Sequence, residues 1–250
     1  MSGRSKWSTI KRKKAATDAK RGRIFTRLLK EIQVAARMGG GDPAGNPRLK
    51  TAVLTAKSQS VPGDNIDKAI KRGSGDMEGV QYEEVTYEGY GAGGAAILVK
   101  ALTDNKTRTV AEVRHAFSRG NGNLGSSNSV GYLFKEKGII TIEHAGLSED
   151  KVFEVALDAG ASDISDDGSC WEISTEPRDF ESVKAALDAA GFKSEAELRM
   201  VAETSVRITG RDAENMLRLM DMLDDIDDVQ NVTSNFDIDE QELEALNQGK

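Results

Sequence analysis

The spacing of apolar residues changes its period near residue 80, and this change restricts the chain to a helical first part followed by a mixed remainder. Before that point, apolar residues recur every three or four positions, as Ile24, Leu28 and Ile32 do, which is typical of amphipathic helices. After it, "YEEVTYEGY" alternates between apolar and polar residues, and "AAILVKAL" is almost continuously apolar. Both patterns are typical of strands. We therefore predict an α+β protein in which helices precede the first strand.

The order of predicted elements indicates three domains. Residues 1–78 are predicted to form a basic helical domain with a flexible N-terminal arm and helices over about 18–38, 47–58 and 64–72. Residues 135–203 follow the order strand, helix, strand, strand, helix, strand, which is that of a ferredoxin-like domain. Residues 79–134 and 204–240 each hold part of a second such α/β unit. The predicted fold is thus an N-terminal helical domain followed by two ferredoxin-like domains, the second inserted in the first.

Three local signals in this scheme are specific enough to check. Asn46 followed by Pro47 predicts the start of the second helix, and Asp64 is a candidate cap for the third, which we expect to end with Gly73 just beyond it. The stretch "SVGYLF" at 129–134 is predicted to be a strand.

Charge is divided unevenly along the chain. Residues 1–75 carry 18 Lys and Arg against 5 Asp and Glu, a balance of +13, whereas residues 76–250 carry 16 against 36, a balance of −20. In the first predicted helix, basic residues repeat on the side opposite the apolar face and scarcely mix with acids. This pattern favours a polyanionic partner, and attraction between the two oppositely charged parts of the chain is the alternative that it leaves open.

The candidate nucleic-acid-binding residues are the cations of the arm and first helix, with others from the third helix, the loop "TDNKTRT" and the helix after it. Trp7 joins them because it can stack on a base, although packing explains it more simply. The set is Lys6, Trp7, Lys11, Arg12, Lys13, Lys14, Lys20, Arg21, Arg23, Arg27, Lys30, Lys71, Arg72, Lys106, Arg108 and Arg114. Neutralising about six phosphates would give a salt dependence of log K with a slope near −5.

No motif supports enzyme chemistry, so we predict a protein that is not an enzyme and needs no cofactor or metal. "GYGAGG" at 89–94 fits Gly-x-Gly-x-x-Gly, but a strand follows where a dinucleotide site needs a helix, so a hairpin turn is predicted. His115 and His144 lack metal-type partners at short spacing. "MLDDIDDV" at 222–229 is interpreted as a solvated acidic turn rather than a metal or partner site.

Two loops keep a second interpretation open. Residues 103–109 and the glycine-rich residues 119–129 have compositions that suit phosphate binding, and ordinary loop construction explains both. An enzyme that uses these loops to bind a nucleotide therefore remains a competing class, and a protein-binding adaptor whose basic domain docks an acidic partner is another.

The compartment follows from what can form within the chain. Its single cysteine, Cys170, allows no internal disulfide, and no apolar run reaches the length of a membrane span. We expect a cytoplasmic protein with no membrane partner.

Several long motifs resemble, in order, those of the YebC/PmpR family. They are "SKWSTIKRKKAATDAKRGRIFTRL", "GGGDPAGNPRL", "VPGDNIDKAIKRG", "YEGYGAGG", "TDNKTRTVAEVRHAFSRGNGNLGSSNSV" and "FKEKGIITI", covering about residues 1–143. The family usually has His at Arg4, Pro at Ala92 and often Gly at Asn128; none of these departures lowers the basic charge.

The resemblance implies a regulator of gene expression. Bacterial members are described as probable transcriptional regulators, and a mitochondrial relative is a translational activator for cytochrome c oxidase. We expect a YebC-type transcriptional regulator that binds DNA through the basic N-terminal domain. The alternative is a ribosome-associated translation factor that binds ribosomal RNA or tRNA and relieves stalled translation.

Overall fold

The computed structural model describes residues 18–144, 146–166, 168–239 and 242–243. Its strands form two antiparallel four-stranded sheets and one two-stranded pair, and helices accompany them, which confirms the predicted mixed class. Within the described ranges, residues 133–203 form one compact unit, and residues 18–132 with 204–243 form the other. The predicted three-domain boundaries stay a prediction. No helix in these ranges is long and apolar enough to cross a membrane.

Three helices form the first part of the larger unit: α1 (Asp18–Gly39), α2 (Pro47–Ser58) and α3 (Gly63–Ser74). Their shared core contains Ile32, Leu49 and Ile66. The start of α2 is confirmed, because the side chain of Asn46 accepts a hydrogen bond from the Leu49 amide at 3.1 Å. The amide group of Asn46 also donates to two carbonyls, those of Ala35 (2.8 Å) and Gly40 (2.9 Å), so one side chain joins the end of α1 to the start of α2.

The ends of α3 differ from prediction. Pro62 precedes the helix, and Asp64 lies inside its first turn rather than capping it. At the other end Gly75, not Gly73, takes the left-handed conformation with φ 90°. Gly73 is instead buried against α1, where an added Cβ would lie 2.3 Å from the carbonyl oxygen of Gln33. Gly73 therefore allows α3 to pack closely against α1, and Gly75 provides the left-handed residue that ends the helix.

The sheet of the larger unit has the strand order β3-β1-β2-β9. Its strands are β1 (Glu83–Tyr90), β2 (Ala96–Thr103), β3 (Asn123–Leu124) and β9 (Val229–Ser234). Two helices, α4 (Lys106–Arg119) and α7 (Gly210–Asp224), pack on one side of it through Phe117, Met216 and Leu219. The short strands β8 (Val206–Arg207) and β10 (Phe236–Asp237) pair in parallel. "GYGAGG" turns between the antiparallel β1 and β2, as predicted.

The smaller unit alternates strands and helices in the predicted order. It contains β4 (Phe134–Glu143), α5 (Glu149–Asp158), β5 (Asp163–Asp166), β6 (Cys170–Thr175), α6 (Phe180–Ala189) and β7 (Glu195–Ala202). All strand pairings are antiparallel, in the order β5-β6-β4-β7. Both helices contribute to one core with Trp171 and Ile173, and Cys170 is buried in β6.

The strand predicted at 129–134 is wrong. Residues 127–130 form turns and bends, Gly131–Leu133 is a single 3-10 turn, and only Phe134 begins β4. The backbone amides of this stretch point to the carboxylate of Glu88 instead of joining a strand ladder. A tertiary contact thus overrides local strand propensity.

Candidate nucleic-acid interface

The first group of predicted binding residues lies outside what the structure describes. It comprises the arm residues Lys6, Trp7, Lys11, Arg12, Lys13 and Lys14, and the side chains of Lys20 and Arg21 in the first turn of α1. Their contacts with nucleic acid stay predictions.

Three described cations of α1 face the acidic turn, our name for residues 224–228, which run from the end of α7 to the start of β9. Each of the three pairs with one aspartate: Arg23 with Asp225, Arg27 with Asp224 (N–O 3.1 Å), and Lys30 with Asp228 (N–O 2.9 Å). The fourth described cation, Arg37, donates to the carbonyl of Tyr82 at 2.6 Å. The side chains of Arg27 and Lys30 are only 12% and 9% exposed. In this conformation acids of the same chain therefore pair with three of the α1 cations, which is the attraction that the charge division left open.

Asp228 is the centre of this contact. Its carboxylate accepts hydrogen bonds from Lys30 (2.9 Å), Arg108 (2.6 Å), Thr103 (3.1 Å) and Thr109 (2.7 Å). Burial alone would raise the pKa of Asp228, but the bonds from Lys30, Arg108 and Thr109 outweigh it and lower the pKa to about 2. For Asp228 the interpretation as a solvated turn is wrong, since the residue is 3% exposed and joins α1, α4 and the acidic turn.

Lys30 is held from several directions. Besides Asp228, it donates to the carbonyl of Asp227 at 3.1 Å, and its ammonium lies 5.2 Å from the centre of the Tyr82 ring. A phosphate would have to displace all of these contacts to reach it.

The loop at 103–109 builds the start of α4. Asn105 caps the helix by accepting from the Arg108 amide at 3.0 Å, and the Arg108 guanidinium pairs with Asp104 at 2.7 Å as well as with Asp228. Lys106 pairs with Glu83 at 2.5 Å on the surface. The groups that suggested a phosphate site are thus engaged in capping and in ion pairs, so ordinary loop construction accounts for this segment.

The glycine-rich loop already holds an anion of the protein itself. Glu88, 7% exposed, accepts hydrogen bonds from the amides of Asn128 (2.9 Å), Val130 (2.8 Å) and Gly131 (2.6 Å). Burial favours the neutral acid, but these amides outweigh it and hold the pKa of Glu88 below its ordinary value. Asn128 has φ 64°, a conformation that asparagine tolerates and glycine adopts freely. The amides that could bind a nucleotide phosphate are therefore occupied.

Three predicted residues remain available in the described ranges. Lys71 and Arg72 in α3 and Arg114 in α4 are exposed, and their side chains make no ion pair with a residue that the structure describes. Of the three, Arg72 lines a cavity together with Arg37 of α1 and Tyr82.

Two residues that organise this region were missed by reasoning from the sequence. Asp228 was one of four similar aspartates, and Glu88 was one of several acids in an alternating strand. Their partners lie far away in the chain, so no local pattern singles them out.

No metal centre is found in the part of the chain that the structure describes. Over residues 18–144, 146–166, 168–239 and 242–243, no three His, Cys, Asp or Glu side chains group in a way that could hold an ion. In the acidic turn, Asp224, Asp225 and Asp228 pair with cations of α1.

Comparison with known proteins identifies the family. The model of the "TACO1/YebC protein N-terminal domain" matches residues 5–76, and that of the "TACO1/YebC second and third domain" matches residues 82–236. The chain belongs to the TACO1/YebC family. The resemblance inferred from the motifs is thereby confirmed.

Relatives share this similarity over nearly their whole length. A probable transcriptional regulatory protein of Desulforapulum autotrophicum is 57% identical over 98% of this chain and 100% of its own length. One from Geobacter sulfurreducens is 54% identical over the same shares. The crystal structure of a conserved hypothetical protein from Aquifex aeolicus is 43% identical and superposes with a TM-score of 0.83, covering 89% of this chain and 93% of its own.

Proposed function

We propose that this protein is a non-enzymatic regulator of transcription that acts in the cytoplasm and binds DNA through its basic N-terminal segment, residues 1–78. The observation that carries the proposal is the charge division, +13 over residues 1–75 against −20 over the rest. The basic part coincides with the family's N-terminal domain, and relatives more than 50% identical over nearly the whole chain are named probable transcriptional regulatory proteins.

The proposal relies most on the part of the basic segment that has many cations and few acids along the sequence. Arg23, Arg27 and Lys30 are paired with the acidic turn, so binding through α1 has to break those pairs. The arm is a better candidate, because "KRKK" at 11–14 places four adjacent cations in a stretch whose only acid up to residue 30 is Asp18. Phosphate contacts of this kind supply affinity without selecting a sequence.

Titration of the full chain with labelled duplex DNA over a range of salt concentrations tests this proposal. We expect log K to fall with log salt at a slope near −5, and replacing the four arm cations by Gln to reduce that slope by about 3.6. The arm cations are Lys11, Arg12, Lys13 and Lys14. A matched control replaces four lysines of the smaller unit by Gln: Lys135, Lys151, Lys184 and Lys193.

Equal slopes for the two variants would overturn the assignment to the basic segment, and absence of DNA binding at low salt would overturn DNA binding itself. Crosslinking in living cells then separates transcription from translation. If the protein regulates transcription, the crosslinked nucleic acid should be DNA from upstream of a few genes. Recovery of ribosomal RNA or tRNA instead would replace the proposal by the translation alternative.

A further inference from the structure

The solvent-facing side of α2 differs from the described basic surfaces of α1 and α3. It consists of six exposed side chains, which we call the α2 outer face: Lys50, Thr51, Leu54, Thr55, Lys57 and Ser58. The opposite side of the helix buries Leu49, Ala52, Val53 and Ala56 in the core. The twelve residues of α2 include no Asp or Glu.

The two neighbouring helices show why this absence of acid is informative. On α1 the acidic turn neutralises Arg23, Arg27 and Lys30. On α3, Asp64 and Asp67 are exposed together with Lys68 and Lys71, which is the mixture of signs expected of an ordinary solvated surface. Only α2, among these three helices, presents cations without acids on the same helix.

The lysines of the α2 outer face are also free of acids from elsewhere in the described structure. Neither Lys50 nor Lys57 forms an ion pair with a described residue. Arg48, at the border of this face, is different, since Glu31 (2.7 Å) and Glu84 both pair with it. Among the described residues, acids thus neutralise the cation beside the face, and none pairs with the two lysines on it.

The chemistry of the face fits the backbone of a duplex. Lys50 and Lys57 are seven residues apart, about 10 Å along the helix axis, so their ammonium groups can contact separate phosphates. Between them stand short hydroxyl side chains and Leu54, 57% exposed, which allow close approach. The face has no aromatic side chain, whereas proteins that bind single strands use aromatic rings to stack the bases.

We propose that the α2 outer face docks on the phosphate backbone of duplex DNA. This inference rests on the proposed DNA-binding function and names a surface for it that is separate from the α1 cations. Charge complementarity identifies the occupant, because unpaired lysines without neighbouring acids attract a polyanion. The contacts give affinity and orientation, and they do not read bases.

The test compares two double variants of the full chain that change net charge equally. Lys50→Gln with Lys57→Gln removes the cations of the face; Lys151→Gln with Lys193→Gln removes two exposed lysines of the smaller unit. Both are titrated with a duplex of random sequence, with fluorescence anisotropy as readout. The first variant should bind about tenfold more weakly at 0.1 M salt, with a salt slope shallower by about 1.8, because two phosphate contacts are lost. The second should change affinity less than twofold.

The outcomes separate this inference from the proposed function. Binding by wild type with no difference between the two variants would overturn the α2 outer face and leave DNA binding standing. Absence of binding by wild type at low salt would overturn both. A duplex RNA of the same length serves as a further arm, and tenfold tighter binding of RNA than DNA through the same lysines would replace the proposed occupant. Helical circular dichroism of each variant must match wild type.

Discussion

Replacing Asp228 by Asn should weaken the attachment of α1 to the rest of its unit. The change keeps the shape of the side chain and removes its charge, so Lys30, 9% exposed, loses the carboxylate that neutralises it. The fall in the pKa of Asp228 from 3.8 to about 2 corresponds to about 2 kcal/mol of stability near neutral pH. Leaving a buried cation unpaired typically costs about 3–5 kcal/mol, so we expect the free energy of unfolding to fall by about 3 kcal/mol.

Urea denaturation followed by circular dichroism at pH 7 measures this change. The matched control is Asp225→Asn, because Asp225 is 63% exposed and pairs with Arg23 at the surface, where such a pair contributes about 1 kcal/mol or less. In a Trp7→Phe background, the fluorescence of Trp171 reports the smaller unit alone and should keep its midpoint in both variants. A loss for Asp228→Asn no larger than that for Asp225→Asn would refute the reasoning.

The same variant has a defined pH dependence. Because the pKa of Asp228 is lowered in the folded state, the unfolded chain takes up this proton first as the pH falls. The stabilisation is therefore complete above about pH 5 and is lost as the pH falls from about 4 to about 2. The difference in unfolding free energy between wild type and Asp228→Asn should shrink over that window. A difference that stays constant down to pH 2.5 would show that the charge of Asp228 is not its cause.

Two further changes test the loop and the helix packing. Glu88→Gln should lower the free energy of unfolding by about 1–3 kcal/mol and speed hydrogen exchange of the amides at 128–131, because the Gln side chain places a donor opposite the donors of the loop. The control is Glu112→Gln, which changes an exposed side chain. Unchanged exchange in Glu88→Gln would contradict the role of Glu88. Gly73→Ala should lower the free energy of unfolding by about 2 kcal/mol or more, since its Cβ would lie 2.3 Å from the Gln33 carbonyl oxygen. In the control Gly63→Ala the new Cβ has nothing within 4 Å, so the melting temperature should stay that of wild type. Equal melting temperatures for the two variants would contradict the close packing at Gly73.

The features that the sequence predicts correctly are those determined by residues that lie close together along the chain. The start of α2 follows from Asn46 and Pro47 alone, and the turn at "GYGAGG" follows from glycines between two apolar strands. The failed strand at 129–134 depends on Glu88, some 40 residues earlier, whose carboxylate binds amides that a strand would have used in a ladder. The strand propensity of residues 129–134 does not include the competing contact with Glu88.

The same limit applies to the interface. The basic side of α1 was recognisable from its periodicity, but its aspartate partners lie about 200 residues away, and nothing in the helix indicates whether acids of the same chain or phosphates neutralise it. The acid-free side of α2 is equally visible in the sequence, but it holds fewer cations than the first helix, so charge alone points to the first helix.

The three ion pairs of α1 differ in how readily a phosphate can replace the aspartate. The three cations should therefore contribute unequally to DNA binding. Arg23 is 33% exposed and pairs with an exposed aspartate, so water and salt already compete for it. Lys30 lies at the opposite extreme, because its release would leave Asp228 buried with one cation fewer. A polyanion should therefore recruit Arg23 before Arg27 and Arg27 before Lys30. Lys50 and Lys57 on α2 have no ion-pair partner among the described residues, so a phosphate can bind them without such an exchange, and they should contribute more to the salt dependence than Lys30 does.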